Sequence, residues 1–370
     1  MDDLKEKMFE NQTNKTNVMK KIFLITIALL LFIPSFVNAQ CMGGSDDEGV
    51  QIVGFIQPQF EYVQHPYAVD DELNFSFERA RFGFVGNIPY DFSFYTVVEA
   101  SAFISDDPFL LDAYVSYNRL APYFKVTFGQ FKNPFGLEVN TACHKLHTIK
   151  RSDFVSDLAG PYRDLGVMFS GGNDTTFINY GLAITNGTGL GLKDTLDMYK
   201  DYSGRIVFSP LRLTDSEFDI SLGFGGKYMS SKNVDETLPD NTGFRLGSDL
   251  GIKWKNFLAQ GEFIYGKNDG TYTVGGGCGG DPVVVEGSVE RYGYMAQGMY
   301  MTPWKVQPVI KYQNYDPDLA GNLDVASIVT FGINYFPNDW TRLQINYLYG
   351  AEEREIRNDR FLVQLQVVFN

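Results

Sequence analysis

The chain has few cysteines, tryptophans and histidines, with only 3 of each among 370 residues. The cysteines, Cys41, Cys143 and Cys278, are too few and too scattered for a disulfide framework, although one bridge between Cys143 and Cys278 stays open. His144 and His147 lie near Cys143, but no second cluster completes a zinc site, so solvated loop residues are expected there. No nucleophile–histidine–acid arrangement or phosphate-binding loop is present. The sequence therefore predicts no enzyme, no metal and no cofactor.

Positive charge and long hydrophobic runs are also scarce. The 31 Lys and Arg residues against 45 Asp and Glu give a net charge of -14, which argues against a nucleic-acid partner. Beyond residue 40 no apolar run approaches the ~20 residues that a membrane-spanning helix needs. If this chain crosses a membrane, it must do so as a closed barrel, which also satisfies every backbone polar group in lipid.

Residues 20–39 resemble a secretory signal peptide. Two lysines precede an apolar run, and Ala39 ends a small-residue cleavage site. Pro34 interrupts the run, which is shorter than a spanning helix, so a cleaved signal is favoured over an anchor. Gln40 disfavours a lipid anchor on Cys41. The predicted organisation is a signal peptide over 1–39 with a mis-assigned start over 1–18, a short segment over 40–49, and a barrel over 50–370.

Aromatic residues and glycine are abundant, with 22 Tyr, 31 Phe and 37 Gly, a composition typical of strands and tight turns. Apolar and polar residues alternate with a period of two along 244–254, 304–313, 341–349 and 360–369. Such alternation predicts strands with one apolar and one polar face. About 16 strands of this kind fit between residues 51 and 369.

The predicted connections alternate between short and long. Seven short links follow the even-numbered strands, at 88–89, 119–122, 171–174, 210–215, 255–256, 302–303 and 337–339. The links between them are mostly longer and polar, for example 64–73, 133–162, 268–287 and 351–359. Short turns at one end and long loops at the other are typical of an antiparallel transmembrane β-barrel, with both termini on the periplasmic side. The third long loop, 133–162, is expected to fold inward and narrow the lumen.

The polar face of each strand is predicted to line the lumen, where bases outnumber acids. A positive ring in a narrow wet pore favours anions. The acids predicted there are Glu61, Glu99, Asp112, Asp219, Asp249 and Glu262. The bases are Arg79, Arg81, Lys125, Arg205, Lys227, Arg245, Lys253, Arg291, Lys305, Lys311, Arg342 and Arg360.

Four motifs resemble the phosphate-selective porin O and P family: 77–83 (FERARFG), 111–114 (LDAY), 129–138 (GQFKNPFGLE) and 162–166 (YRDLG). The resemblance is strongest over about 74–185. It implies a sixteen-stranded homotrimer with a narrowed lumen, in which arginines line the path and lysines mark the constriction. In those roles it places Arg79 and Arg81 on the wall, and Lys132, Lys145, Lys150, Arg151 and Arg163 in or beside the third loop.

The resulting hypothesis is a bacterial outer-membrane porin, in contact with lipid, that passes small solutes by diffusion and favours anions such as phosphate. The alternative is a structural or adhesion barrel whose acidic loops bind a partner. Single-channel conductance discriminates between them.

Overall fold

The computed structural model describes residues 49–65, 70–101, 110–173, 175–190, 197–212, 214, 217–233, 239–274, 283–321, 325–351 and 356–369. The predicted signal at 20–39, Cys41 and Cys278 lie outside these ranges, so the export prediction stays a prediction. No helix in the described part is both long and apolar enough to cross a membrane.

Sixteen antiparallel strands form one closed barrel, in which β1 pairs with both β2 and β16. The predicted strand number is confirmed. The strands are β1 Gly49–Val63, β2 Glu72–Ile88, β3 Phe92–Glu99, β4 Leu110–Leu120, β5 Phe124–Lys132, β6 Arg163–Gly171, β7 Ile178–Thr185, β8 Asp201–Phe208, β9 Phe218–Ser231, β10 Asn241–Trp254, β11 Phe257–Val274, β12 Val283–Tyr300, β13 Val306–Asp316, β14 Ala326–Tyr335, β15 Thr341–Gly350 and β16 Arg360–Phe369.

The two faces of the wall differ as the alternation predicts. In β10, Arg245 points inward and is 2% exposed, whereas its neighbours Phe244 and Leu246 are 43% and 50% exposed on the outside. The apolar outer face suits lipid, and the polar inner face suits water. A belt of exposed aromatic residues surrounds the short-turn end, as expected at a membrane–water interface: Tyr90, Tyr123, Trp254, Trp304 and Trp340.

Each of the seven predicted short links falls at the junction between two consecutive strands, but the predicted extent of the long link, 268–287, is wrong. Strands β11 and β12 continue as a paired ladder into this segment as far as Val274 and Val283, with Gly270 opposite Gly287. Both glycines have positive φ, 118° and 117°, a backbone conformation that glycine adopts readily, and the pairing continues without a register shift. The flanking Thr, Tyr and Val residues favour extended backbone. The hairpin therefore extends the wall on the long-loop side.

The prediction that Lys305 lies on a strand is also wrong. It lies in the turn before β13 with φ of 59°, outside the strand wall. Thr302 closes that turn, because its backbone carbonyl accepts the Lys305 amide at 3.1 Å and its hydroxyl accepts the Val306 amide at 3.2 Å. This local hydrogen bonding competes with strand extension.

A bulge in β2 sets the inward phase of Arg79. Pro58 in the middle of β1 has no N–H for the ladder, and the register shifts beside it, so that Gln57 pairs with Arg79 and Pro58 with Phe77. The extra residue, Glu78, sits between them. Beyond it Arg79 is 8% exposed and directed inward, whereas Phe77 on the other side of the bulge is 51% exposed.

The third loop, called L3 below and comprising 133–162, folds into the barrel as predicted. It contains helix α1 (Leu137–Asn140), a 3-10 turn (Cys143–Lys145) and helix α2 (Asp153–Leu158). Phe135, Phe154 and Leu158 of L3 are fully buried. An ordered loop buried inside a polar lumen needs its own apolar contacts with the wall.

Inward-facing glycines supply those contacts. A Cβ at Gly225 or Gly247 would lie 3.2 Å or 3.3 Å from the Phe135 ring. Gly293 of β12 lies directly against the side chain of Phe154. Gly181 and Gly266 receive Pro134 and Leu158 in the same way. These five glycines, here called the glycine track, give flat surfaces on which L3 packs.

We expect Gly293→Val to loosen L3, because the new side chain occupies the space of Phe154. Overpacking of this kind costs about 1–3 kcal/mol. The measurements are the free energy of unfolding in detergent micelles and the rate of tryptic cleavage after Arg151, which should rise.

Gly298→Val is the matched control, because Gly298 lies on the same strand and a Cβ there would have only Phe257 near it, at 4.0 Å. The same gain in strand propensity applies to both variants. Equal stability and equal cleavage in the two would refute the packing role of Gly293.

Candidate functional site in the lumen

Cationic side chains of the wall bind backbone carbonyls of L3. Arg245 Nε donates to the carbonyl of Leu158 at 3.1 Å, and Lys227 Nζ donates to that of Gly160 at 2.7 Å. A loop held away from water must find partners for its polar backbone. These bases therefore position L3.

Further along L3 the barrel wall continues this pattern. Arg342 Nη1 donates to the Leu146 carbonyl at 2.8 Å, and Asn334 Nδ2 donates to the His147 carbonyl at 2.9 Å. The Oδ1 atom of Asn346 accepts the Ile149 amide at 2.8 Å. Sequence reasoning missed the amides, although inward-phase Asn and Gln residues on β13 to β16 were visible in the pattern. L3 is thus attached to two separate sectors of the wall, β9–β10 and β14–β15.

Two buried carboxylates anchor α1. Glu262 of β11 accepts the backbone amides of Leu137 and Glu138 at 2.6 Å and 3.0 Å. The Glu138 side chain accepts Lys311 Nζ at 2.7 Å and the Ser152 amide at 2.6 Å. Glu138, Glu262 and Lys311 are each 2–3% exposed. Buried charges of this kind need such compensation, so this cluster fixes α1 to β11 and β13.

Most other predicted pore bases are ion-paired with acids. Arg163 binds Asp112 through three contacts of 3.0–3.1 Å. Lys150 of L3 binds Glu78, the bulge residue, at 2.6 Å. The remaining pairs are Arg79–Glu78 at 3.1 Å, Arg81–Glu99 at 2.7 Å, Arg205–Asp249 at 2.7 Å, Arg291–Asp157 at 2.6 Å and Lys227–Asp201 at 3.7 Å.

A second group of bases has no carboxylate partner in the described part of the chain. Arg151 donates to the carbonyls of Glu138 and Thr141, and Lys132 approaches the Thr141 carbonyl at 3.5 Å. Lys145 is exposed on L3. Lys253 lies at the short-turn end, in a separate cavity of about 630 Å³ together with Asp219 and Glu217. The whole group in and beside the narrowed lumen is Lys125, Lys132, Lys145, Arg151, Arg245 and Arg342.

The expectation that Cys143 and its neighbours are solvated is wrong, because L3 folds inward. Cys143 is a buried free thiol whose Sγ accepts Arg81 Nη1 at 2.9 Å and Arg151 Nη2 at 3.4 Å. Burial opposes ionisation, but the guanidinium charges, led by Arg81, hold the pKa of the Cys143 thiol well below its usual range.

The nearby histidines are directed elsewhere. The His144 ring packs against Phe55 at 5.4 Å, and His147 Nδ1 lies 3.3 Å from Gln307. Burial lowers the pKa of both imidazoles. No group of three metal-ligating side chains occurs within the described ranges.

We expect Lys311→Met to destabilise the barrel by about 3–5 kcal/mol, because it leaves the Glu138 carboxylate buried without its cation. The double variant Glu138→Gln/Lys311→Met should recover part of the loss. Denaturant unfolding in micelles measures both. Lys255→Met, at an exposed pair with Glu217, is the control and should change stability little. A harmless single variant would contradict the anchoring role of this pair.

We expect Arg81→Gln to raise the pKa of Cys143, because it removes the nearest positive charge. The thiolate absorbance followed against pH measures this in a Cys41→Ser/Cys278→Ser background. With the pKa depressed, the thiolate stabilises the fold above the unfolded pKa of about 8.5, and this contribution is lost as pH falls through the folded pKa. Arg81→Lys should restore most of the shift. An unchanged titration in Arg81→Gln would disprove the assignment.

Comparison with known proteins places this lumen in a wider group. No curated protein matches the chain. The solved structure of OmpF from Salmonella typhi in complex with daunomycin has a TM-score of 0.59 at 11% identity, covering 88% of this chain and 98% of its own. OmpT of Vibrio cholerae, folded in vitro and solved in its trimer form, has a TM-score of 0.57 at 12% identity, covering 88% and 100%. At these identities the likeness is one of fold.

The family comparison covers more than half of the chain. The model of the phosphate-selective porin O and P family matches residues 50–276, which include the four motifs, β1 apart from its first residue, β2 to β11 and all of L3. Together with the closed barrel and its outer-membrane neighbours, this match assigns the protein to the bacterial outer membrane as a porin channel. The chain belongs to the phosphate-selective porin O and P family.

Proposed function

We propose that this outer-membrane porin lets small solutes diffuse through a lumen that prefers anions, phosphate among them. The observation that carries the proposal is the imbalance of charge around L3. Lys125, Lys132, Lys145, Arg151, Arg245 and Arg342 have no carboxylate partner in the described residues.

Fewer acids than bases in the lumen lack a partner of opposite charge among the described residues. Glu262 accepts two backbone amides of α1, and Asp164 accepts the amides of Leu165 and Gly187 at 2.8 Å and 2.5 Å. The other inward carboxylates named above belong to ion pairs, apart from Asp219 at the short-turn end. Hydrogen bonds to backbone groups do not cancel a charge, so the six bases without a carboxylate partner outweigh the two carboxylates held by amides, Glu262 and Asp164, and favour a positive field in the narrow section. Low-dielectric walls focus that field along the path.

The likeness of this barrel to solved outer-membrane porins supports a homotrimer. OmpT of Vibrio cholerae was solved in a trimer form. In the present barrel, β3 to β8 span 8–11 residues, whereas β9 to β12 span 14–18 residues. A low wall on one side suits packing against neighbouring barrels, and the rest of the apolar outer face suits lipid. A single-barrel mass in mild detergent would contradict this.

We expect planar bilayers in a KCl gradient to show open, ohmic steps with an anion-selective reversal potential. The double variant Lys132→Gln/Lys145→Gln should lower the chloride-to-potassium permeability ratio several-fold, because one charge at ~4 Å in water contributes about 1 kcal/mol. Among the described residues Lys132 makes one hydrogen bond, of 3.5 Å to the Thr141 carbonyl, and Lys145 is exposed, so L3 should stay in place.

Lys255→Gln is the control, because this exposed turn lysine is paired with Glu217 away from L3. Cation selectivity in the parent channel, or a ratio that the double variant leaves unchanged, would refute the proposed preference. The absence of conducting steps would favour a structural barrel.

A further inference from the structure

A cavity of about 500 Å³ lies between L3 and the short-turn ends of β4 to β8. L3 forms one side of it through Pro134 and Asn140, and inward side chains of the wall form the other. The short turns face the periplasm in barrels of this kind, so the cavity lies on the periplasmic side of the narrowed section. A solute that passes L3 on this side enters it.

The charges of the cavity are both positive. Lys125 and Arg205 line it, and no acidic side chain of the described residues does. Arg205 binds Asp249 through Nε and Nη2, which leaves Nη1 uncommitted. Lys125 has no carboxylate partner in the described part of the chain. A negative group in this space would therefore meet one uncompensated ammonium group and one guanidinium edge.

Amide side chains add both hydrogen-bond acceptors and donors. Asn118 Nδ2 donates to Ser93 at 2.7 Å, and Asn140 Nδ2 donates to the Gly136 carbonyl at 2.8 Å, so each leaves its Oδ1 atom available. Asn179 Oδ1 accepts the Thr176 hydroxyl at 2.8 Å, which leaves its Nδ2 atom available. A hydroxyl group both donates and accepts, so it matches this mixed set better than a bare anion does.

The volume of the cavity and its apolar lining also favour an organic ligand over an inorganic ion. Sites of about 300–1000 Å³ bury organic molecules, whereas an inorganic ion would leave most of this cavity to water. Pro134, Met168 and Val207 give one part of the lining an apolar character. The C–H face of a sugar ring or chain suits such a surface, while its hydroxyl groups reach the amides.

We propose that this cavity, here called the Lys125 site, binds small organic anions that carry several hydroxyl groups, the class of the sugar acids. The Lys125 ammonium pairs with the carboxylate, and the amides of Asn118, Asn140 and Asn179 bind the hydroxyls. The site rests on the proposed function, because its ligand must be admitted as an anion. It adds a substrate class that differs from inorganic phosphate.

The test uses the full-length channel in planar bilayers, with glucuronate, glucose and inorganic phosphate added on the short-turn side. Glucuronate and glucose share their ring hydroxyls and differ in the charge. We expect glucuronate to reduce the open-channel current at a concentration at least ten-fold lower than glucose or phosphate requires. Lys125→Gln should abolish that difference, and Lys255→Gln should leave it intact. Lys125 makes no ion pair within the described residues, so its variant should fold, which an unchanged strand content by circular dichroism in micelles and an unchanged free energy of unfolding verify.

The outcomes separate the two proposals. Anion selectivity in the KCl gradient with no preferential block by glucuronate overturns the Lys125 site alone. Cation selectivity together with a Lys125-dependent glucuronate block overturns the proposed preference alone. Phosphate that blocks as well as glucuronate shows that charge suffices and overturns the organic class. Glucose that blocks as well as glucuronate, or a block that survives Lys125→Gln, overturns the role of the ammonium group.

Discussion

L3 can cross the lumen only because the wall satisfies its backbone. A loop of 30 residues (133–162) carries amides and carbonyls that a narrow interior cannot fully hydrate. The Glu262 carboxylate of the wall accepts hydrogen bonds from the amides of α1. Arg245, Lys227 and Arg342 donate hydrogen bonds to carbonyls further along L3. Without these groups the loop would have to stay outside, and the lumen would be wide.

Apolar packing adds to the stabilisation of L3 that the hydrogen bonds provide. Polar contacts alone are worth little net free energy when water competes for them, whereas buried rings contribute through area removed from water. Phe135 and Phe154 bury their rings against inward glycines of β9, β10 and β12. The lumen is thus divided into a dry contact zone under L3 and wet spaces beside it, and the Lys125 site is one of those wet spaces.

The barrel could be predicted from sequence because lipid imposes a strict rule. Each spanning strand must show an apolar outer face, so strand number, phase and short turns were readable, as β10 shows. The errors occur where that rule ends. The β11–β12 hairpin extends past 268 and 287. Lys305 lies in a turn and not in a strand, because Thr302 forms local hydrogen bonds there.

The interior of the site was less predictable for a different reason. The inward phase of Arg245, Lys311 and Arg342 was correct, but their partners lie 87, 173 and 196 residues away in the chain. No periodic pattern reports contacts at such separations. Cys143 is buried for the same reason, because L3 folds into the lumen. The packing role of the glycine track likewise exists only when L3 lies against it.

The bases around L3 serve two purposes that are separable by residue. Arg245 and Arg342 hold L3 and also contribute to the positive field, so a change there alters the width and the charge of the path together. Lys125 and Lys145 contribute charge with no ion pair in the described chain. Because ionic screening confines each charge to about 8–10 Å in physiological salt, solute preference is set locally. Solute specificity can therefore change at these two lysines while the constriction itself is preserved.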